Sequence, residues 1–389
     1  MGKTDFMKKI LFVVNAPEYF VSHRLAIAKE AQSQGYRVHV ASAAGNEVES
    51  GGTDAIQLIE NNGFSYHKIA LNRGGQNPLV EIQAVFRLFV LMRSIEPDLV
   101  HLITIKPVLY GGIAARLAGV TSMVAAVAGL GTIFLAQSPV ARLRRWLVKR
   151  LYRSVFLHKN LIVIFQNPDD RSALVDLDLI ALGRTRIIRG SGVLIADYPY
   201  HPEPVGVPVV AMAARLLKDK GVYEFVDAAR LLRDRGVIIE MRLIGSPDRG
   251  NPTSVNQQDV ERWAEEGYVR LLGFRSDISE QYAQANIVSL PSYREGLPKS
   301  LVEAAACGRS VVTTDVPGCR DAITSGVTGV LVPIKNSVAL ADAIQALVEN
   351  TEQRNQMGAA GRRLAEEVFA IEKVVEQHIS IYRELLHNA

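Results

Sequence analysis

Residues 289–312 read Ser-Leu-Pro-Ser-Tyr-Arg-Glu-Gly-Leu-Pro-Lys-Ser-Leu-Val-Glu-Ala-Ala-Ala-Cys-Gly-Arg-Ser-Val-Val. The apolar run that leads into them, Ala285–Leu290, has the composition of a buried strand. A turn follows from Pro291 to Pro298. Proline suits the start of a helix because its missing N–H is not needed there. An Ala-rich helix over Ser300–Cys307 is therefore expected, with Gly308 as its stop and Ser310–Thr314 as the next strand. This strand–loop–helix–strand unit belongs to an α/β domain with a parallel sheet.

The same stretch carries chemistry. Glu295 lies in the loop beyond a strand end, and Glu303 lies in the second turn of the helix. The unpaired N–H groups of that helix start point at the same space and form a site for a phosphate. Two carboxylates beside an anion site do not bind the anion. They are placed to grip hydroxyls attached to it, a ribose on one side and a second sugar on the other. Singly, each glutamate reads equally well as a solvated surface charge. Together with Gly296 and Pro298 they point to a nucleotide carrying a sugar.

The chain has 389 residues, which favours two domains. Its 48% hydrophobic and 22% charged content is that of a soluble globular protein. Two cysteines, Cys307 and Cys319, make no disulfide framework and fit a reducing compartment. No apolar stretch of about 18 residues marks a membrane span. Met1–Lys9 has no signal-like apolar core, and its Gly2–Asp5 run reads as a disordered extension. Charge is uneven: residues 1–200 carry +8 and residues 201–389 carry −4. No acidic residue stands between Asp98 and Asp169, while nine basic ones do. A basic half can meet nucleic acid, a phosphorylated substrate or an anionic membrane.

Along the chain, strands are expected at Lys9–Val14, Arg37–Ala41, Ser65–Ala70, Asp98–Ile103, Ser122–Val127 and Asn160–Phe165. Helices alternate with them at Ser22–Gln34, Gly52–Asn62 and Pro78–Ser94. No G-x-G-x-x-G follows any of these strands, so a dinucleotide reading lacks its main support. Ligands of such sheets lie beyond the strands' carboxyl ends. Those ends offer Asn15, with Ser22, His23 and Arg24 opening the next helix; His101 and Lys106; and Gly129. Either histidine also reads as a satisfied strand-end or helix-start residue. Lys106, set between apolar stretches, is expected to reach the ligand. Val140–His158 is a basic amphipathic helix, with Leu143, Leu147, Leu151 and Val155 at a spacing of four. It fits an anionic membrane surface or a solvated helix packed on the sheet; no nucleic-acid-binding module accompanies it.

Tyr198–Pro208 holds four prolines, reads as a stiff linker and sets a boundary between domains at 1–199 and 200–370. The pattern then restarts with strands at Val209–Ala213, Glu240–Ile244 and Val269–Leu272 and helices at Val222–Arg235 and Ser279–Gln284. Arg215 and Lys220 follow the first of these strands, where two cations can neutralise a diphosphate. Two helices within Ser337–Val368 follow. The last helix, within 371–389, is expected to pack back on the first domain.

Arg215-x4-Lys220-Gly221, Ser292-Tyr-Arg-Glu-Gly-Leu-Pro and Glu295-x7-Glu303 with Ala306-Cys-Gly308 together resemble glycosyltransferase family 4. The resemblance runs over nearly the whole chain and is strongest over 209–335. It implies the GT-B architecture, two Rossmann-like doubly wound α/β domains facing across a cleft, and retention of anomeric configuration. It also implies roles. Arg215 and Lys220 would hold the donor diphosphate, Glu303 the ribose and Glu295 the transferred sugar. Gly296, Leu297, Pro298, Lys299, Ser300 and Leu301 would meet phosphates and sugar, Ile278 would lie near the base, and Gly245 would line the donor site. Where many members carry a His before the glycines closing strand five, this chain has Ala128, so that residue's role does not transfer.

The Ser22-His23-Arg24 and His101-x4-Lys106-Pro107 stretches look like the bacterial surface-polysaccharide branch. That branch extends lipid-diphosphate-linked glycans such as those of O-antigen. The expected protein is a hexosyl- or N-acetylhexosaminyltransferase using a nucleotide-sugar, with UDP favoured. It would bind a lipid-linked acceptor through Asn15, Ser22, His23, Arg24, His101, Lys106 and Gly129. It would sit in the cytoplasm, peripheral on the inner membrane, and take no nucleic acid. No metal or other cofactor is expected: Asp169-Asp170 and Asp176-x-Asp178 lie away from the donor loops. A UDP-sugar epimerase of the same fold and a non-catalytic glycan-binding relative are the rival readings.

Overall fold

The structure, a computed structural model, describes residues 7–43, 51–69, 78–130, 139–248 and 250–387. The expected N-terminal extension, Gly2–Asp5, and Ala70 of the expected third strand lie outside them. The chain forms two compact units, Met1–Ser191 with Lys373–Ala389, and Gly192–Glu372.

The first unit runs β1 (Lys9–Val14), α1 (Pro17–Ser33), β2 (Arg37–Ser42), α2 (Gly51–Asn61), β3 (Ser65–Lys68), α3 (Pro78–Ile95), β4 (Leu99–Ile103), α4 (Gly112–Ala118), β5 (Ser122–Val127), α5 (Pro139–Phe156), β6 (Leu161–Phe165), α6 (Pro168–Val175) and β7 (Thr185–Ile187). Its strands make one parallel sheet in the order β3-β2-β1-β4-β5-β6-β7. The second unit runs β8 (Val209–Ala213), α7 (Val222–Asp234), β9 (Glu240–Ile244), α8 (Gln257–Glu266), β10 (Arg270–Gly273), α9 (Ile278–Ala283), β11 (Ile287–Leu290), α10 (Lys299–Ala306), β12 (Ser310–Thr314), β13 (Gly329–Val332), α11 (Ser337–Glu349) and α12 (Thr351–Leu364). Its parallel order is β10-β9-β8-β11-β12-β13. The chain ends in α13 (Ile371–His387), which from Lys373 onward belongs to the first unit.

The strands are buried on both faces because helices cover both, hence their near-continuous apolar runs. In the first unit Phe20, Ile27, Ile59 and Tyr382 of α1, α2 and α13 pack on one face. Leu88, Met92, Ala115, Tyr152 and Val155 of α3, α4 and α5 pack on the other. Strand order reverses between β1 and β4 and between β8 and β11, so each sheet has a switch point where ligands of such folds bind.

Two expectations shift. Helix α1 begins at Pro17, directly after the strand, because proline occupies its first turn and Glu18 complements the helix dipole there. Ser22, His23 and Arg24 therefore stand in its second turn and do not open it. The proline-rich stretch is also not where the units divide. Val193 N bonds Phe369 O and Ile371 N bonds Val193 O, both at 2.9 Å, tying the chain into the second unit from Gly192. Arg309 Nη2 bonds His201 O at 2.9 Å, and Arg354 pairs with Glu203 at 2.8 Å, so the stretch is fastened rather than a free spacer.

Candidate functional site

In the second unit the loops after β8 and β11 are wedged together. Gly221, at φ +73°, packs so closely that a Cβ there would lie 2.1 Å from Pro291 O. Only glycine combines that conformation with that approach. The contact sets Lys220 beside Glu295, and their Nζ and Oε1 form an ion pair. Ser292 Oγ donates to the same Glu295 oxygen at 2.7 Å. Tyr293 N donates to Asp219 O at 2.8 Å, which closes the two loops on each other. Behind Glu295 and Gly296 sits Gly318, at φ +82°, where a Cβ would lie 2.6 Å from the carbonyl oxygens of both.

Helix α10 starts one residue earlier than expected, with Pro298 as its N-cap. Leu301 N and Val302 N return to Pro298 O, leaving the N–H groups of Lys299 and Ser300 upstream of the first intrahelical bonds. Leu301 packs into the core, and Leu297 at the loop's end is buried in the same core. Glu303 is buried but paired: Lys299 Nζ lies 3.4 Å from its Oε1. Tyr198 OH donates to that same oxygen at 2.6 Å. Burial and the nearby Glu303 carboxylate push the Tyr198 phenol well above its ordinary range, so it stays a donor. Tyr198 was not among the residues singled out in the sequence. It lies in a proline-rich stretch, and only tertiary packing brings it to Glu303.

Arg215 pairs with Asp248 through Nη1 and Oδ2, and its side chain is mostly exposed. Gly245 closes β9 at φ +139°, where a Cβ would lie 1.8 Å from Ala214 O. The carboxyl ends of β8 and β9 can approach only because this residue is glycine. Ile278 opens α9 after Asp277, whose carboxyl is held well below the usual range by Arg275 and then Gln281. Cys307 and Cys319 are buried, and burial pushes both thiols up to about 12. Neither is an activated nucleophile.

The first unit's candidates disperse. Asn15 Nδ2 donates to Thr104 Oγ1 at 2.6 Å. Thr104 takes φ +75°, a sterically strained conformation for a β-branched residue, at the end of β4. His23 stacks on Tyr19 with ring centroids 4.2 Å apart and meets Ser22 Oγ through Nδ1. Arg24 is buried and donates to His23 O at 2.7 Å. With Ala128, Gln166 and His378 it lines a small recess. Lys106 pairs with Glu81 of α3 at 2.7 Å, a partner the sequence reading overlooked. Gly129 adopts φ +118° beyond β5.

His101 is a correction. It lies in the middle of β4, opposite Phe12 and Val124, and is fully buried. Its Nδ1 meets Tyr382 OH at 2.6 Å. Alternation along β4 turns it, with Leu99 and Ile103, toward α13, so it is a core residue with no access to an acceptor. Among the described residues no group of His, Cys, Asp and Glu is arranged to hold a metal ion.

Two parallel-sheet units with charged loops at the switch point of the second define a GT-B-type glycosyltransferase. Two family models match the chain, "Glycosyl transferases group 1" over residues 199–364 and "Glycosyl transferase 4-like" over residues 9–167. The chain belongs to glycosyltransferase family 4. It is 27% identical over 347 residues to the N,N'-diacetylbacillosaminyl-diphospho-undecaprenol alpha-1,3-N-acetylgalactosaminyltransferase of Campylobacter jejuni, covering 85% of this chain and 89% of that one. Two solved structures share the fold. Anabaena HepE, in complex with UDP and glucose, matches with TM-score 0.75 and 21% identity over 97% of this chain and 100% of its own. Sucrose-phosphate synthase of Thermosynechococcus elongatus matches with TM-score 0.79 and 18% identity over 98% and 100%.

Proposed function

We propose that the chain transfers a hexose or N-acetylhexosamine from a UDP-sugar to a lipid-diphosphate-linked glycan, with retention, in the synthesis of a bacterial surface polysaccharide such as O-antigen. The observation that carries this reading is the convergence of Lys220, Glu295 and Ser292 with the start of α10 and its buried Glu303. The donor assignment draws on HepE, described with UDP and glucose, and the acceptor assignment on the Campylobacter relative's diphospho-undecaprenol substrate. The second unit binds the donor and the first the acceptor. The place of action is the cytoplasmic face of the inner membrane, with α5 and its arginines meeting anionic lipid. No helix among the described residues is long and apolar enough to cross a membrane.

In this mechanism Glu303 grips the ribose hydroxyls. Arg215, Lys220 and the N–H groups of Lys299 and Ser300 neutralise the diphosphate as it leaves. Those charges do the work a metal ion does elsewhere, so the reading calls for no cofactor. Lys220, paired with Glu295 before the donor arrives, turns to the diphosphate, and Glu295 is then free for hydroxyls of the sugar. The acceptor hydroxyl attacks from the face the diphosphate leaves.

Isothermal titration with UDP and GDP tests the donor. UDP is expected to bind and GDP not. Glu303→Ala should weaken UDP about 10- to 100-fold, the worth of a carboxylate gripping hydroxyls. Unchanged affinity in that variant removes the ribose role, and silence for every nucleotide removes the reading. The anomeric proton of the product, followed by NMR, decides retention against inversion.

A further inference from the structure

Helix α3 is apolar on two opposite faces. Ala84, Leu88 and Met92 face the core. On the far side Ile82, Phe86 and Val90 form a stripe at helical spacing; Ile82 is 65% and Phe86 62% exposed. A helix apolar all round is ordinarily buried, so the outward stripe has a use other than folding. Helix α4 packs against both α3 and α5, placing all three in one layer over the same sheet face.

Helix α5 repeats the pattern in a basic form. Its core contacts come from Val148, Tyr152 and Val155. Leu143, Trp146 and Leu147 are more than half exposed. Arg142, Arg150 and Arg153 stand among them, and the Arg150 guanidinium lies 5.1 Å from the Trp146 ring centroid. Arg87 and Arg93 add exposed cations on α3. The only acid in α3 is Glu81, largely covered and paired with Lys106.

We infer that α3 and α5 form one membrane-docking surface, in which α3 inserts Ile82, Phe86 and Val90 into the acyl boundary of an anionic bilayer while the arginines of α5 hold the headgroups. Charge complementarity selects the occupant: apolar side chains bordered by arginines, with tryptophan among them, suit an interface rich in anionic lipid. The inference deepens the membrane part of the proposed function and rests on it. It adds that the apolar contribution comes from α3, outside the basic helix.

The test is co-sedimentation of the full chain with vesicles of phosphatidylethanolamine and phosphatidylglycerol, and with vesicles of phosphatidylcholine alone. Trp263 is buried in the second unit, so a blue shift on mixing reports Trp146. Binding and a blue shift with the anionic vesicles are expected, with little of either on phosphatidylcholine. The pair Ile82→Glu/Phe86→Glu should weaken partitioning about tenfold or more, and so should Arg142→Glu/Arg150→Glu/Arg153→Glu. Phe86→Ser serves if the double variant misfolds, and Ile238→Glu, an exposed apolar residue of the second unit, should change nothing. Wild-type partitioning by the α3 variants overturns the inference. So does a concentration-dependent dimer that Phe86→Ser dissolves without any vesicle binding, which assigns the stripe to a second copy. UDP binding keeps the two claims apart. A chain that binds UDP but no vesicle loses the docking surface and keeps the transferase reading; one that binds vesicles but no nucleotide does the reverse.

Discussion

The carboxyl ends of β8 and β11 in one unit and of β1 and β4 in the other hold the same topological place, yet they are furnished differently. In the second unit that place carries Lys220 with Glu295 and, beyond β8, Arg215 with Asp248. Glycines at positive φ, with no room for a Cβ, hold the loops there. In the first unit it carries a neutral bond from Asn15 to a strained Thr104 and, beyond β4, one ion pair of Lys106 with Glu81, while the nearest histidine is turned into the core. The difference fits the two tasks proposed. A diphosphate that gains charge as it leaves needs cations already in place before the reaction, since reorganising them during it costs rate. An acceptor hydroxyl needs orientation, and the diphosphate of its lipid carrier gains no charge in the reaction.

The largest expected effect tests how much the glycine wedge matters. Gly221→Ala forces a Cβ against Pro291 O in a left-handed conformation and should cost about 3 kcal/mol or more, with UDP binding lost as Lys220 is displaced. Gly236 in the same unit has the same φ of +73° with nothing near its Cβ position, and Gly35 in the first unit, at φ +85°, is equally open. Alanine there should cost only about 1–2 kcal/mol. Urea unfolding of the three variants makes the comparison. Equal losses would mean that backbone strain alone matters and that the loop contact does not set the site.

Acid should separate the units next. The first unit contains the buried His101 and His378 and the half-buried His39. His39 is lowered to about 4 and His378 to about 3, and His101 falls well below its usual value, in each case chiefly by burial. A folded value below the unfolded 6.5 means the unfolded chain binds more protons between the two. That stability is complete above about pH 6.5 and is lost as pH falls toward the folded values, at up to about 1.4 kcal/mol per pH unit for each fully buried ring. The second unit holds a single histidine, His201, which is exposed, so it has no buried ring of this kind. Near pH 4.5, far-UV circular dichroism should report partial unfolding while Trp263 emission stays that of a buried indole. His378→Leu should move the acid transition to lower pH. Simultaneous loss of both signals would erase the distinction.

The sheets were legible because a strand covered on both faces leaves an unbroken apolar run. Lys9–Val14, Ser122–Val127, Val209–Ala213 and Glu240–Ile244 have the bounds that such runs mark. The edge strands Thr185–Ile187 and Gly329–Val332 escaped, being only three and four residues long. Site residues were legible where one loop carries them, as with Glu295 and Glu303, which the turn chemistry around Pro291 and Pro298 places together. His101 misled because nearness along the chain to a strand end says nothing of which face a side chain takes; its alternation with Leu99 and Ile103 does. Asp248 and Tyr198 carried no local mark, since their partners lie 33 and 105 positions away.

Tyr198 gives the smallest effect and the sharpest one. Its phenol donates to Glu303 at 2.6 Å, while Arg362 holds its backbone carbonyl and that of Ala306. Tyr198→Phe therefore removes one hydrogen bond to a carboxylate and leaves the ring fastened. If Tyr198 positions Glu303 for the ribose, donor KM should rise about 5- to 20-fold, in step with about 1–2 kcal/mol for a charge-assisted bond. The kcat should stay near its wild-type value, because ribose contacts serve the ground state and the transition state alike. In a Glu303→Ala background the same substitution should add nothing, since its only route to the donor has gone. A lower melting temperature with unchanged KM would make Tyr198 a strut of the second unit. Additive losses in the double variant would show that it reaches the donor by a path of its own.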